Sequence, residues 1–156
     1  MNLSLRPTRS EDVPAILALI AEIYRDYGCI LDAENDERHL LEPGPYFRAR
    51  GGEFWVVDEN GHIRATVAVL LHAEEGELKT LYVHRSLRRL GWGRRLATLA
   101  IDYARERGSR KMMLWSDTRF LEAHRLYRSM GFTEMGTREL NDSNNSIEYG
   151  FEMLLV

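Results

Sequence analysis

The segment from residue 84 to residue 97 contains five arginines and two closely spaced glycines, Gly91 and Gly93. The first backbone N–H groups of a helix have no partner inside the helix and carry the positive end of its dipole. Glycine lets an anion approach those groups closely, and arginine adds charge-assisted hydrogen bonds. A helix that begins near Gly91 would therefore bind a diphosphate with this segment. For at least half of the arginines, a solvated basic helix face is an alternative that the charge pattern leaves open.

The arginines of residues 84–97 are a local concentration of positive charge, because the whole sequence of 156 residues is slightly acidic, with a net charge of −3. Length and composition indicate one globular domain over residues 1–156. The balance of charge argues against a nucleic-acid binder, which would need a broad basic face. The single cysteine, Cys29, excludes an internal disulfide and is consistent with a reducing compartment. Because the sequence shows neither a signal-peptide pattern nor an apolar run of membrane-spanning length, we expect a cytoplasmic protein that does not bind membranes.

Hydrophobic periodicity and turn residues predict the elements that must position this segment. The Asn60-Gly61 pair between two strand-like runs predicts a hairpin. Ser10 is the expected cap of the first helix. In the less regular residues 29–52, Arg38 to Leu41 could be helical, and Pro43 to Pro45 are expected to end that run. Strands are predicted over residues 2–6, 53–58, 62–72, 77–83, 110–116, 132–139 and 147–155, and helices over about 11–27, 91–107 and 120–130.

The order of these elements predicts the fold class. Three antiparallel strands followed by a strand–helix–strand crossover indicate an α/β protein whose central mixed sheet carries helices on both faces. The strand over residues 110–116 is apolar enough for burial on both faces, and Trp55 and Trp115 are expected in the core.

Two motifs lie in register along the chain, RRLGWG at residues 88–93 and AHRLYRSMGF at residues 123–132. The first resembles the Arg/Gln-x-x-Gly-x-Gly/Ala signature of the GNAT superfamily of acetyl-CoA-dependent N-acetyltransferases. The second resembles the Ala-x-x-Leu-Tyr-x-x-x-Gly-Phe segment of the same family, at the expected separation. The predicted element order agrees along nearly the whole chain. The resemblance therefore implies the GNAT-like acyl-CoA N-acyltransferase fold, with acetyl-CoA as the co-substrate.

The resemblance also assigns residues to the coenzyme. In this family the strand before the loop splays from its neighbour and leaves backbone groups for the pantetheine arm, while the arginine–glycine loop binds the diphosphate. Many members carry an asparagine seven residues before the tyrosine of the second motif; this chain has Phe120 there, so that contact is lost or is supplied by another group such as Asp117 or Thr118. The residues expected at the coenzyme are Leu81, Tyr82, Val83, Arg88, Arg89, Leu90, Gly91, Trp92, Gly93, Arg94 and Phe120.

Acetylation of an amine needs a base for the ammonium proton and an acid for the departing thiolate. An alkyl ammonium has a pKa of about 10.4, so a base must act at neutral pH. The resemblance places Tyr127 near the coenzyme sulfur as the acid, whereas the residues alone would make it a core aromatic. Glu77 falls where the histone-acetylating branch carries its strand glutamate, which makes it the candidate base. A solvent-facing strand carboxylate is an equally good interpretation of Glu77.

The resemblance places the acceptor pocket in residues 27–46 and 138–149. Acidic residues in the first stretch could attract a cationic amine, and Arg138 could pair with a carboxylate of an amino-acid-like substrate. We predict acetyl transfer to a primary amine of a small molecule by direct attack in a ternary complex. A protein amino-group acetyltransferase and a non-catalytic acyl-CoA-binding module are the alternatives. No metal is expected, because the histidines and Cys29 lack ligand spacing, and a homodimer is left open.

Overall fold

The structure is a computed structural model that describes residues 2–155. Its seven strands form one sheet. They are β1 (Leu3–Pro7), β2 (Glu53–Glu59), β3 (His62–His72), β4 (Glu75–Val83), β5 (Lys111–Asp117), β6 (Thr133–Glu139) and β7 (Ile147–Leu154). The order across the sheet is β1-β2-β3-β4-β5-β7-β6, and β4 and β5 are the parallel pair among antiparallel neighbours. The predicted α/β fold with a mixed sheet is confirmed.

Local sequence accounts for the hairpin between β2 and β3. Asn60 and Gly61 both adopt positive φ, at 52° and 90°, which is the conformation that a tight hairpin turn requires. The predicted turn therefore fixes the pairing of Glu59 with His62.

Five helices flank the sheet: α1 (Val13–Asp26), α2 (Ala33–Asp36), α3 (Pro43–Arg48), α4 (Trp92–Glu106) and α5 (Leu121–Ser129). A single 3₁₀ turn over Ser10–Asp12 precedes α1, so that Pro14 lies in its first turn, where proline is tolerated. The helical run over Arg38–Leu41 ends before Pro43, as predicted, but for the same reason Pro43 to Pro45 begin α3, a helix that the sequence analysis does not predict. Within residues 2–155, no helix is long and apolar enough to cross a membrane.

The hydrophobic core lies on both faces of the sheet. One cluster joins α1 and α3 to β2 and β3, and its largest buried members include Ile16, Ile20 and Phe47. The other cluster joins α4 and α5 to the opposite face and includes Leu96 and Phe151. The helices on both faces therefore pack against the same sheet, and this packing fixes the position of α4 relative to α1.

The sheet opens between β4 and β5. The two strands pair only over residues 75–77 and 111–113, although β4 continues to Val83 and β5 to Asp117. A bulge in β4 places Thr80 and Leu81 opposite one residue of β3, and Thr80 has a positive φ of 50°. The strands therefore diverge and leave a gap in the centre of the molecule.

β5 alternates in burial along its whole length. Met112, Leu114 and Ser116 are buried, whereas the residues between them are partly exposed. The prediction of a strand buried on both faces is therefore wrong, because one face of β5 borders the gap. Trp55 lies in the core as predicted, but Trp115 lines the gap.

Candidate active site

A cleft of about 1020 Å³ occupies the gap between β4 and β5. Its walls include Tyr24 and Tyr82 from the α1 side of the sheet and Trp92 and Tyr127 from the α4 side. The cleft therefore passes through the sheet, and two molecules could meet in it from opposite faces.

One end of the cleft is formed by the loop that leads into α4. The helix begins at Trp92, and Gly91 precedes it with φ 83° and ψ 7°. The first intrahelical bond of this end runs from the Arg95 N–H to the Gly91 carbonyl at 3.0 Å. Within residues 2–155, the backbone N–H groups of residues 89–94 donate no hydrogen bond, so six consecutive donors are available to a ligand.

The two glycines of this loop have different physical roles. Gly91 has a left-handed φ, which glycine adopts without steric cost, and a Cβ there would meet no atom within 4 Å. A Cβ at Gly93 would lie 3.1 Å from Leu126 Cδ2. Gly91 therefore shapes the loop, whereas Gly93 lets the start of α4 pack closely against α5.

Four arginines line this end of the cleft without a carboxylate partner among the described residues: Arg88, Arg89, Arg94 and Arg125. Their contacts with protein are uncharged. The Arg88 Nε donates to the Val83 carbonyl at 3.3 Å, and the Arg94 guanidinium donates to Ser129 Oγ at 2.7 Å. Arg95 stacks on Trp92 at 4.4 Å and does not line the cleft. Positive charge is therefore concentrated beside the six free N–H groups.

The structure brings almost all of the residues predicted for the coenzyme to this cleft. Leu90 is the exception: it does not line the cleft, and its side chain is 56% exposed. The predicted residues that line the cleft are Leu81, Tyr82, Val83, Arg88, Arg89, Gly91, Trp92, Gly93, Arg94 and Phe120.

Tyr127, the predicted acid, lines the cleft from α5 and is only 4% exposed. Its ring packs at 5.8 Å against both Phe132 and Phe151. Its hydroxyl makes no hydrogen bond with any of residues 2–155. Burial raises the pKa of Tyr127 above its ordinary value, so the phenol is protonated at neutral pH, as an acid must be.

Glu77, the predicted base, does not line this cleft. It borders a smaller cavity of about 90 Å³ that shares Lys79, Thr80 and Tyr82 with the cleft. Its carboxylate lies 2.9 Å from His72 Nε2 and 3.7 Å from Lys79 Nζ. Two basic groups therefore already contact Glu77.

Phe120, which stands in the place of the family's asparagine, belongs to an aromatic cluster on the α1 side of the cleft. Its ring centroid lies 4.7 Å from that of Tyr27, 6.3 Å from that of Tyr82 and 6.5 Å from that of Tyr24. Of the two possible substitutes, Asp117 lines the cleft but its carboxylate is bound to Arg119. The wall at this position is therefore mainly apolar.

The two segments expected to form the acceptor pocket, residues 27–46 and 138–149, meet at the far end of the cleft, away from the loop that leads into α4. The Asn144 side chain accepts from the Ile30 N–H at 2.9 Å and donates to the Ile30 carbonyl at 2.8 Å. The Ser143 N–H donates to Asp36 at 3.2 Å. Five carboxylates line this end, against one lysine, Lys79. They belong to Asp36, Glu37, Asp117, Asp142 and Glu148.

Sequence reasoning missed several residues of the cleft. Arg125 lies in the second motif, but it is two positions from Tyr127, and helical side chains at that spacing do not share a face. Helical spacing therefore gave no signal for Arg125. Tyr24 carried no signal either, because it lies on an ordinary amphipathic helix. Glu37 lies in the acidic stretch predicted for the acceptor pocket, but nothing in the sequence distinguished it from its acidic neighbours. Only the folded chain brings them to the cleft.

Comparison with known proteins agrees with this geometry. The model of the acetyltransferase (GNAT) family matches residues 16–132. An uncharacterised N-acetyltransferase of Escherichia coli, YjgM, is 28% identical over 139 residues, which make up 82% of this chain and 80% of that protein. The crystal structure of a GNAT-family acetyltransferase from Staphylococcus aureus is similar with a TM-score of 0.87 and 19% identity, and the match covers 99% of both chains.

A further similar structure contains the coenzyme. It is yncA, a putative acetyltransferase of Salmonella typhimurium solved with acetyl-CoA, with a TM-score of 0.72 and 20% identity over 100% of this chain and 95% of that one. The family model covers most of the chain, including the arginine–glycine loop and Tyr127. This chain therefore belongs to the GNAT family of acetyltransferases.

Proposed function

We propose that this protein transfers the acetyl group of acetyl-CoA to a primary amine of a small molecule, by direct attack within a ternary complex. The cleft through the sheet is the observation that carries the proposal, because it joins a phosphate-binding end to an acidic end with Tyr127 in its wall. Direct attack then needs no covalent intermediate on the protein, since a thioester is already activated.

The residues present fit the coenzyme. Six unpaired backbone N–H groups and four arginines without carboxylate partners, all within residues 2–155, suit a diphosphate. The edge of β4 beyond Glu77 has lost its partner on β5, so its backbone groups are available to the amides of a pantetheine arm. When bound, the coenzyme supplies the acetyl thioester, and the protein supplies position, charge and proton transfer.

The reaction needs two proton movements from this chain. A base takes one proton from the ammonium, the nitrogen forms a bond with the carbonyl carbon, and the carbon–sulfur bond breaks. Tyr127 gives its proton to the departing thiolate, and the second proton that the nitrogen loses restores the phenol. Glu77 is the candidate base from the family resemblance, and its carboxylate lies outside the main cleft.

The far end of the cleft favours a cationic acceptor. Arg119 and Arg138 pair with two of its five carboxylates, those of Asp117 and Glu148. The other three still exceed its single lysine, so the local field attracts an ammonium group. The proposed role of Arg138 in binding a substrate carboxylate has less support, because its guanidinium already lies 2.7 Å from Glu148 and stacks on Trp115 at 4.5 Å. The contacts between Asn144 and Ile30 close this end, which suits a small molecule better than a folded protein chain.

An assay of CoA thiol release over a panel of amines tests the proposal. The panel contains polyamines, aminoglycosides, amino acids and lysine peptides, and acetyl-CoA binding is followed separately by calorimetry. Release with a small cationic amine is expected. Release with peptides alone would make the acceptor a protein, and binding of acetyl-CoA without any release would indicate a binding module.

A further inference from the structure

Three side chains form a continuous hydrogen-bonded chain beside the cleft. The Tyr24 hydroxyl lies 2.9 Å from both carboxylate oxygens of Glu37, and 3.1 Å from the Tyr82 hydroxyl. A carboxylate can only accept, so Tyr24 donates its proton to Glu37. Tyr82 must then donate to Tyr24, which leaves the oxygen lone pairs of Tyr82 free to accept a proton from elsewhere.

The hydrogen-bonded series of Tyr82, Tyr24 and Glu37 runs from the centre of the cleft to its acidic end. Tyr82 lies on the unpaired part of β4, and it lines the cleft together with Tyr127. Glu37 lies at the other end of this hydrogen-bonded series, and all three residues line the cleft. Tyr82, with its free lone pairs, therefore lines the same cleft as the predicted acid, and the reacting nitrogen has to lie in that cleft.

Glu37 is held in an environment that makes it a stronger base than an ordinary carboxylate. Burial raises the pKa of Glu37, and the negative charges of Asp36 and Asp142 act in the same direction, whereas Tyr24 and the positive charge of Lys79 oppose the rise. Burial also raises the pKa of Tyr24 and of Tyr82, so both phenols keep their protons and can only pass them on. The other charged or titratable groups around the small cavity that Glu37 borders are His39, Glu77, Arg138 and Glu148.

Resting on the proposed function, we infer that Tyr82, Tyr24 and Glu37 form the path by which the acceptor ammonium loses its proton. The ammonium gives a proton to Tyr82 Oη as the Tyr82 proton passes to Tyr24 Oη and the Tyr24 proton to the Glu37 carboxylate. Glu37 becomes a neutral acid, both phenols are restored, and the nitrogen lone pair is free to attack. Glu37 later returns the proton to solvent.

The geometry favours this path over Glu77. Glu77 does not line the cleft, and its carboxylate already contacts His72 at 2.9 Å and Lys79 at 3.7 Å. Glu37 has no positively charged side chain within 4 Å among residues 2–155, and the donor to its carboxylate is the phenol of Tyr24. Glu37 is therefore better suited to accept a proton.

The test measures kcat/KM between pH 6 and pH 10 with the best amine of the panel. Wild type should show a plateau, because it deprotonates bound ammonium. Glu37→Gln should lose the plateau: its rate should rise about tenfold per pH unit towards the amine pKa of about 10.4, where no base is needed. Tyr24→Phe keeps the ring but removes the hydroxyl that links Tyr82 to Glu37, so its pH profile should match that of Glu37→Gln. Glu34→Gln is the matched control, since Glu34 is exposed in the same segment and does not line the cleft.

The outcomes separate this inference from the proposed function. Both variants should bind acetyl-CoA within about twofold of wild type by calorimetry, which shows that they are folded. A wild-type plateau retained by Glu37→Gln but lost by Glu77→Gln overturns the proton path and leaves the acetyltransferase intact. Wild-type protein that releases no CoA with any amine overturns the proposed function and the path together.

Discussion

Replacement of Gly91 by alanine should weaken acetyl-CoA binding through the backbone alone. Gly91 has φ 83°, and a Cβ there would contact nothing within 4 Å. Side-chain clashes are therefore absent, and the cost is that of a left-handed alanine, about 1–2 kcal/mol. The loop is free to relax because the N–H groups of residues 89–94 have no partner within residues 2–155. Binding must then restore the left-handed conformation.

This cost converts into an affinity change of roughly 5- to 30-fold in Kd, measured by titration calorimetry with acetyl-CoA. Gly108→Ala is the matched control. Gly108 follows the other end of α4 and has φ 91°, and a Cβ at this position would likewise meet no atom within 4 Å. Its N–H donates to the Arg105 carbonyl at 3.1 Å, so the conformation is held with or without ligand.

Gly108→Ala should therefore lower the free energy of unfolding by about 1–2 kcal/mol in urea and leave the Kd unchanged. Gly91→Ala should lose less stability than Gly108→Ala, because its strain is relieved in the free protein. A Kd for Gly91→Ala within twofold of wild type would refute the argument that this loop presents its N–H groups to the coenzyme.

Two buried groups give further predictions. Tyr127→Phe keeps the packing on Phe132 and Phe151 and removes a hydroxyl that has no partner in residues 2–155. The free energy of unfolding and the affinity for acetyl-CoA should therefore stay unchanged, while kcat falls about 10²- to 10⁴-fold. An unchanged kcat would show that Tyr127 is not the acid. Burial lowers the pKa of His39 from 6.5 to about 4, so between these pH values the unfolded chain takes up a proton that the folded protein does not. Stability should fall by up to about 3 kcal/mol as pH drops through this window, at about 1.36 kcal/mol per pKa unit. His39→Phe should lose less free energy of unfolding over this pH range, as measured by urea titration. An identical pH dependence of stability in both proteins would contradict the lowered pKa of His39.

Much of the fold could be predicted from sequence because its signals are local. The Asn60-Gly61 turn, the start of α4 after Gly91 and the end of α4 before Gly108 all depend on residues that set their own backbone conformation. The short helix that begins at Pro43 was missed for a local reason too, since proline is tolerated in the first turn of a helix.

The candidate site was predictable only where it coincides with a motif. The arginine–glycine loop and Tyr127 lie in two short motifs, and the structure brings both to one cleft. Burial and partners were not predictable: Arg138 is engaged by Glu148 from the neighbouring strand, and Glu77 lies outside the cleft. Such contacts depend on strand register, which no single segment specifies.

The sequence by itself determined where the strands and the three longer helices lie and that their order gives a mixed sheet. It also predicted that a helix start rich in arginine and glycine would face an anion. Only the tertiary structure decided which side chains meet. It joined Glu37 to Tyr24 and, through Tyr24, to Tyr82 on a distant strand, by opening β4 from β5 and closing α1 over the gap. The physical reason is that periodicity acts over a few residues, whereas a cleft is made by elements that pack together from distant parts of the chain.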